Sequence, residues 1–456
     1  MPFWLYAWGA ASALIVSFLI VGWFFAQPRA PAADSVRDIS GARWVSRLRR
    51  VLPALRILSL LLLALCIATG WFGTRDPYRN FSMTAFWIWF VLGFAYLTIV
   101  IGDLYAQLNP WRTLADGCSR LVRDFARGRT AYPERLAYWP ALALYYLFIC
   151  FELFGHGHPS TLASALFAYT LMNLAGVWLL GAPSWFRYCE FFSVFFRLIA
   201  LAAPIDHCRA AAAGGRGSLQ QRAPFSGLSR ERAGDLSEVT FLLFMLSSTA
   251  FDGLRATQTW VNAFWNSAWL RDWLGRPPLS ATLLLRPWYD ALEKLTLALS
   301  PFLYLGAYLA ALAMARAATR SQRPLRELAL DFAYTLLPIA LVYNFTHYYT
   351  LLLSQGPKIV GLLSDPFGWS WNLFGTAQRY GAPFLPDPGW VWHTQVVLIV
   401  LGHVLSVVLA HRVALRVFPN RRAAVLSQLP MLGLMVLFTV VGLWILAQPL
   451  QAIVSR

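Results

Sequence analysis

Apolar runs long enough to cross a hydrocarbon core of about 30 Å repeat along the whole chain, separated by connectors that are mostly short and rich in arginine. About ten runs are predicted to cross: 3–26, 51–72, 83–107, 136–155, 161–182, 237–254, 292–316, 331–356, 391–411 and 426–448. Arg29, Arg37, Arg43, Arg47, Arg49 and Arg50 follow the first run, so that connector is expected to be cytoplasmic and the N-terminus periplasmic. Parity then brings the C-terminus out on the periplasmic side as well. No basic residue precedes the first run and no clean small-residue cleavage site follows it, so it is read as a retained span rather than a signal peptide.

One run breaks the pattern. Residues 187–203 are few and include Arg197, and they lead into the basic, Gly/Ser/Arg-rich stretch 204–236. A crossing at 187–203 would place that stretch outside, against the distribution of arginine elsewhere. The run is therefore read as re-entrant or interfacial and 204–236 as an unstructured cytoplasmic loop, the alternative being a true crossing. Residues 355–390, with the segment SDPFGWSWNLFGT, read as an outer loop, and no internal repeat of transporter type is visible. The fold class expected is all-α: a polytopic integral membrane helical bundle, one transmembrane domain over 1–456, with about ten transmembrane helices and one re-entrant or interfacial segment.

Composition agrees with the pattern, since 58% of the 456 residues are hydrophobic, 13% are charged and 21 are Trp. A soluble domain of this length is excluded. A net charge of +17 would point to nucleic acid in a soluble chain, but here the cations sit in the connectors between spans, so nucleic acid is not an expected partner and the bilayer is. The five cysteines, Cys66, Cys118, Cys150, Cys189 and Cys208, form no CxxC and indicate neither a disulfide framework nor a thiolate metal site.

Candidate chemistry gathers in the run from Asp331 to Gly356. Asn344, His347, Tyr348, Leu351 and Gln355 recur at three- and four-residue spacing and would form one stripe of a helix. Polar groups are costly against lipid, so the stripe should line a protein interior or a wet cavity. With the expected orientation, His156, His158, Asp252, His347 and His393 all fall at or near the outer face, and His403 lies in mid-span within reach of a funnel from that side. Imidazole and carboxylate are the ligand set for Zn, Mn or Fe, and a metal-bound water is a nucleophile near neutral pH. The candidate catalytic residues are thus His347, Asp252, Asn344 and Tyr348, and the candidate metal ligands are His347, Asp252, His403, His156 and His158. Each has a plainer role beside it. The Gly155-His156-Gly157-His158 turn is alternatively just exposed, Asp252 pairs alternatively with Arg255, Asp103 pairs with Arg112, and His411 beside Arg412 is an interface residue.

The segments WLYAWGAASALIVSF, GDLYAQLNPWR (102–112), YPERLAYWPA (132–141), SSTAFDG (247–253), THYYTLLLSQG (346–356), SDPFGWSWNLFGT (364–376) and GHVLSVVLAHRVAL (402–415) resemble the membrane-bound fenitrothion hydrolase family of bacterial polytopic proteins. The resemblance covers most of the chain. It implies a bacterial inner-membrane protein that cleaves a hydrophobic phosphotriester or thiophosphotriester to a phenol and a dialkyl (thio)phosphate, and it allows a second membrane subunit as partner. It carries no catalytic residues over, so the site rests on the residues themselves. Two other classes fit the same intramembrane polar groups: a transporter or permease for a hydrophobic or cationic solute, and a non-catalytic membrane subunit of a metal or redox complex.

Overall fold

The computed structural model describes residues 3–24, 36–155, 157–208, 218–377, 379 and 386–448. Its principal helices are α1 (Phe3–Phe24), α2 (Arg43–Phe72), α3 (Phe81–Ile101), α4 (Pro110–Leu121), α5 (Trp139–Phe154), α6 (Pro159–Leu180), α7 (Phe191–Ala200), α8 (Leu236–Arg255), α9 (Thr282–Thr319), α10 (Leu337–Gln355), α11 (Pro388–Val417) and α12 (Arg421–Ala447). Among the described residues, seven helical runs are long and apolar enough to cross a membrane: α2, α3, α6, α9 with the turn before it, the run Leu325–Ser364 that contains α10, α11 and α12. The apolar part of α1 and all of α5 are shorter, and α8 is not among the seven. The chain is therefore an all-α, multi-pass membrane protein.

Two compact units divide these helices. The first holds α1, α8, α9, α10 as far as His347, α11 from Trp392 and α12; the second holds α2 to α7 and the segment Tyr348–Val391.

In the first unit α8 is the core element. From Ser237 to Phe251 every side chain is buried, polar and apolar alike, which marks a helix surrounded by protein rather than one with a lipid face. It packs on α9, which in turn packs on α12, and α1 lies along α12. Ser247 and Ser300 join α8 to α9 through their hydroxyls at 2.9 Å. Gly402 brings α11 against α10 so closely that a Cβ there would stand 2.3 Å from a methyl of Val342.

The start of α8 is set by Asp235, whose Oδ1 accepts from the Ser237 backbone N–H at 2.9 Å while Oδ2 accepts from Arg326 Nη2 at 2.9 Å. Partial burial works to raise the Asp235 carboxyl, but the hydrogen bonds from Ser237 and Arg326 outweigh it and hold the group below the usual carboxylate range. A carboxylate depressed in this way stabilises the fold above its unfolded pKa of about 4 and loses that contribution as pH falls through the lower folded value. Asp235→Ala is expected to cost about 1 kcal/mol at neutral pH and to flatten the acid limb of a thermal-stability profile below about pH 4. An unchanged acid limb would show that the cap contributes nothing to the fold.

In the second unit α2 packs on α6 at Gly70, where a Cβ would fall 2.6 Å from that of Ala163. Ten residues of α7 extend about 15 Å, half the thickness of a hydrocarbon core, and α7 is buried along nearly its whole length. The stretch 204–236 corrects the expectation of an unstructured loop. Strands β1 (Arg37–Asp38), β2 (Ile205–Cys208) and β3 (Ser218–Gln221) form an antiparallel sheet in the order β1-β3-β2, and a short helix follows over Ser226–Arg230; residues 209–217 lie outside the described residues. Arg222 explains the order. Its guanidinium donates to the carbonyls of Ala200, Leu201 and Ala203 at the end of α7 and pairs with Asp206 at 2.9 Å and Glu231 at 3.4 Å. A basic residue that reads as a loop cation in the sequence instead satisfies orphan helix carbonyls.

Candidate functional site

Asp252 occupies the last turn of α8 and His347 the middle of α10, and the fold brings these two together across 95 residues of sequence. His347 Nε2 lies 2.9 Å from Asp252 Oδ2. Both side chains keep an opening to the surroundings, at 24% and 21% exposure, whereas the rest of α8 is closed off. Gly253, beside Asp252, allows the approach: a Cβ there would stand 2.8 Å from Ile445 Cγ2, with His347 Cε1 at 3.8 Å. Near the start of α11, Gln395 Nε2 donates to the carbonyl of Thr346 at 3.0 Å, which fixes the backbone adjoining His347. Arg255, one turn beyond Asp252, reaches the buried Glu293 at 3.4 Å.

With Asp252 ionised, the proton sits on Nε2 of His347 and is donated to the carboxylate. The basic lone pair of the imidazole is then on Nδ1, and the carboxylate is placed to stabilise an imidazolium when a proton arrives there. Carboxylate, oriented imidazole and partial access are the parts of a general base.

The other predicted residues fall as follows. Asn344 is half-buried on α10, one turn before His347; Tyr348 follows His347 in the chain, is half-buried, and belongs to the second unit. His403 is fully buried in α11, with Nδ1 2.8 Å from the Ile399 carbonyl, while its buried Nε2 has no hydrogen-bond partner. His158 is exposed at the start of α6 in the second unit, and His156 lies outside the described residues. His393, exposed near the start of α11, has its ring 6.1 Å from that of Tyr6. Asp103 accepts from the Ala106 N–H at 2.9 Å, and His411 is buried against Gln428.

A metal site tests poorly on the donor set. Asp252 and His347 supply two donors, against the three protein ligands of a catalytic zinc centre, and the atoms that would bind the ion face each other in a hydrogen bond. Among the described residues no three His, Cys, Asp or Glu side chains converge. These residues do not fit a resident divalent metal, and the chemistry rests on the pair alone.

The sequence reading passed over Glu190, which caps α7 in the second unit. Its carboxylate is wholly buried, accepts from the backbone N–H groups of Phe192 (3.2 Å) and Ser193 (2.8 Å), and is reached by the Tyr105 hydroxyl (3.4 Å), the Tyr169 hydroxyl and Asn109 Nδ2 (3.3 Å). The signal was present as the acidic residue in WFRYCEFFSVFF, an ionisable group in an apolar run.

No family model, curated protein or solved structure matches the chain.

Proposed function

We propose that this chain is a multi-pass inner-membrane hydrolase of hydrophobic organophosphorus (thio)phosphotriesters such as fenitrothion, with the Asp252–His347 pair as its general base. The observation that carries the proposal is the 2.9 Å contact between two residues singled out independently from the sequence, in an otherwise closed helical core. A neutral triester partitions into the bilayer and would meet a site on membrane helices directly. In the reaction, His347 Nδ1 takes a proton from water as the water oxygen forms its bond to phosphorus and the P–O bond to the aryl group breaks. The phenolate leaves with the electron pair, Asp252 stabilises the imidazolium, and the proton passes on to the phenolate or to bulk water. A nitrophenolate leaves without a strong general acid. Asn344 is the residue on the same helix whose amide would donate to the charge growing on the phosphoryl or thiophosphoryl group.

The test is nitrophenol release from a nitrophenyl phosphotriester by purified protein in detergent or nanodiscs, against an identically purified, inactive membrane protein. No release above that background, with a monodisperse sample and with any accompanying membrane subunit retained, sinks the proposal.

The proposal carries the finer topology with it: about ten crossings, residues 187–203 not crossing, and both termini periplasmic. A reporter fused after Arg230 is expected to read cytoplasmic and one after Trp371 periplasmic. A periplasmic signal after Arg230 would mean that 187–203 crosses, and every later side would reverse.

A second reading, proton-linked transport, has one observation in its favour. His403 and His411 are both buried on α11, eight residues and thus about 12 Å apart, and His403 Nε2 is unsatisfied. Proton uptake into proteoliposomes that depends on His403, without triester hydrolysis, would select it.

A further inference from the structure

The first turns of α9 stand apart from the site just described. Over Thr282–Lys294 the helix borders an open groove of about 650 Å³, lined by Leu283, Arg286, Asp290 and Lys294 among others. Arg286 Nε and Asp290 Oδ1 are 3.0 Å apart and both side chains remain about two-fifths exposed. The charges therefore run cation, anion, cation at four-residue spacing along one face, with one positive charge in excess.

The surface beside this groove is apolar and open. Leu283 is 95% exposed and Trp288 69% exposed, although the same segment has a small core of its own around Trp265, Leu270, Leu285 and Tyr289. The segment is thus folded, and its outward apolar groups are not a failure to pack. Leu284, Trp288, Leu292, Leu295 and Leu299 form one exposed stripe at three- and four-residue spacing that continues without a break into the apolar part of α9. Whatever covers Leu295 and Leu299 reaches Leu284 and Trp288 along the same face, and on a membrane-crossing helix that is lipid. Tryptophan at the end of such a stripe and cations just beyond it match the level where acyl chains give way to phosphates.

We propose that this groove binds the headgroup of an anionic phospholipid, its phosphate held between Arg286 and Lys294 and its acyl chains lying along the Leu284–Leu299 stripe. The proposal is independent of the hydrolase assignment. Asp290 tempers the site by engaging Arg286, which sets a preference for a singly charged headgroup over a more highly charged one.

The experiment is native mass spectrometry of the full chain after partial delipidation and incubation with dioleoyl-phosphatidylglycerol or dioleoyl-phosphatidylcholine, which share acyl chains. Retention of phosphatidylglycerol is expected to exceed that of phosphatidylcholine about tenfold, and the double variant Arg286→Gln/Lys294→Gln is expected to lose about that factor. Asp290→Asn should raise phosphatidylglycerol retention, and Arg286→Lys, which keeps the charge, should preserve it. Equal retention of the two lipids by the wild-type protein overturns the proposal, and that comparison needs no variant to fold. So does a monodisperse double variant that holds phosphatidylglycerol as well as wild type. A wild-type dimer that Trp288→Ser converts to monomer also overturns it, by showing that a second copy covers the face.

Discussion

His347→Ala and Asp252→Asn are each expected to lower triester hydrolysis per folded molecule by about 100- to 10,000-fold, the range a positioned general base supplies. The two substitutions should fail differently. Removing the imidazole deletes the base, whereas Asp252→Asn puts an amide in place of the carboxylate, turns a donor or a neutral oxygen toward His347 and unfixes its tautomer, so that this variant should retain the higher residual rate. The double variant should be no worse than His347→Ala alone, because the pair acts as a unit. Loss of a buried hydrogen-bond partner also costs about 1–3 kcal/mol of stability, so protein level and monodispersity must be measured beside the rate. His411→Ala, in a side chain bonded to Gln428 rather than to the pair, should leave specific activity near wild type. If His347→Ala hydrolyses the triester at close to the wild-type specific rate, the centre lies elsewhere.

Glu190→Ala is expected to be the most damaging single change in the second unit. The carboxylate is the shared acceptor of two backbone N–H groups, two tyrosine hydroxyls and the Asn109 amide, all in an enclosure built largely of Phe and Trp rings. Truncation leaves those donors in an apolar space where water cannot replace the acceptor, and a loss of about 3–5 kcal/mol follows from breaking a buried charged network. Glu190→Gln keeps the shape and one acceptor oxygen and should cost roughly half as much. A fluorescence-detected thermal shift of the purified protein would separate the three. An Ala variant with wild-type Tm would mean that the network carries no net stability.

The outline of the fold was legible because lipid imposes a simple rule: a spanning segment must satisfy its own backbone and present apolar side chains, and both requirements leave long apolar runs in the sequence. α2, α3, α6, α9, α11 and α12 were visible on that ground. The Asp252–His347 pair was legible for the complementary reason, since each is an ionisable group in a run that should contain none. What stayed hidden depends on who the neighbours are. Arg222 reads as one more loop arginine until the carbonyls at the end of α7 are placed around it, and the polar strands Ile205–Cys208 and Ser218–Gln221 carry no apolar alternation to betray a sheet. His403 and His156 entered the ligand set on residue type and depth alone. Type and depth do not say which side chains converge, and only the pair did.

Burial of α8 on all its faces bears on how the protein is made. The helix carries Ser237, Glu238, Thr240, Ser247, Ser248, Thr249 and Asp252, and nearly every one of its side chains is covered by other helices in the finished fold. Alone in a bilayer it would expose hydroxyls and two carboxylates to acyl chains, with no hydrogen-bond partners to offset the loss of water. Membrane insertion of this segment is therefore a collective event. The residues that will form the dyad's first half wait at the translocon until α9 emerges to cover them, and the serine pair that later joins the two helices is the earliest contact available to hold them there.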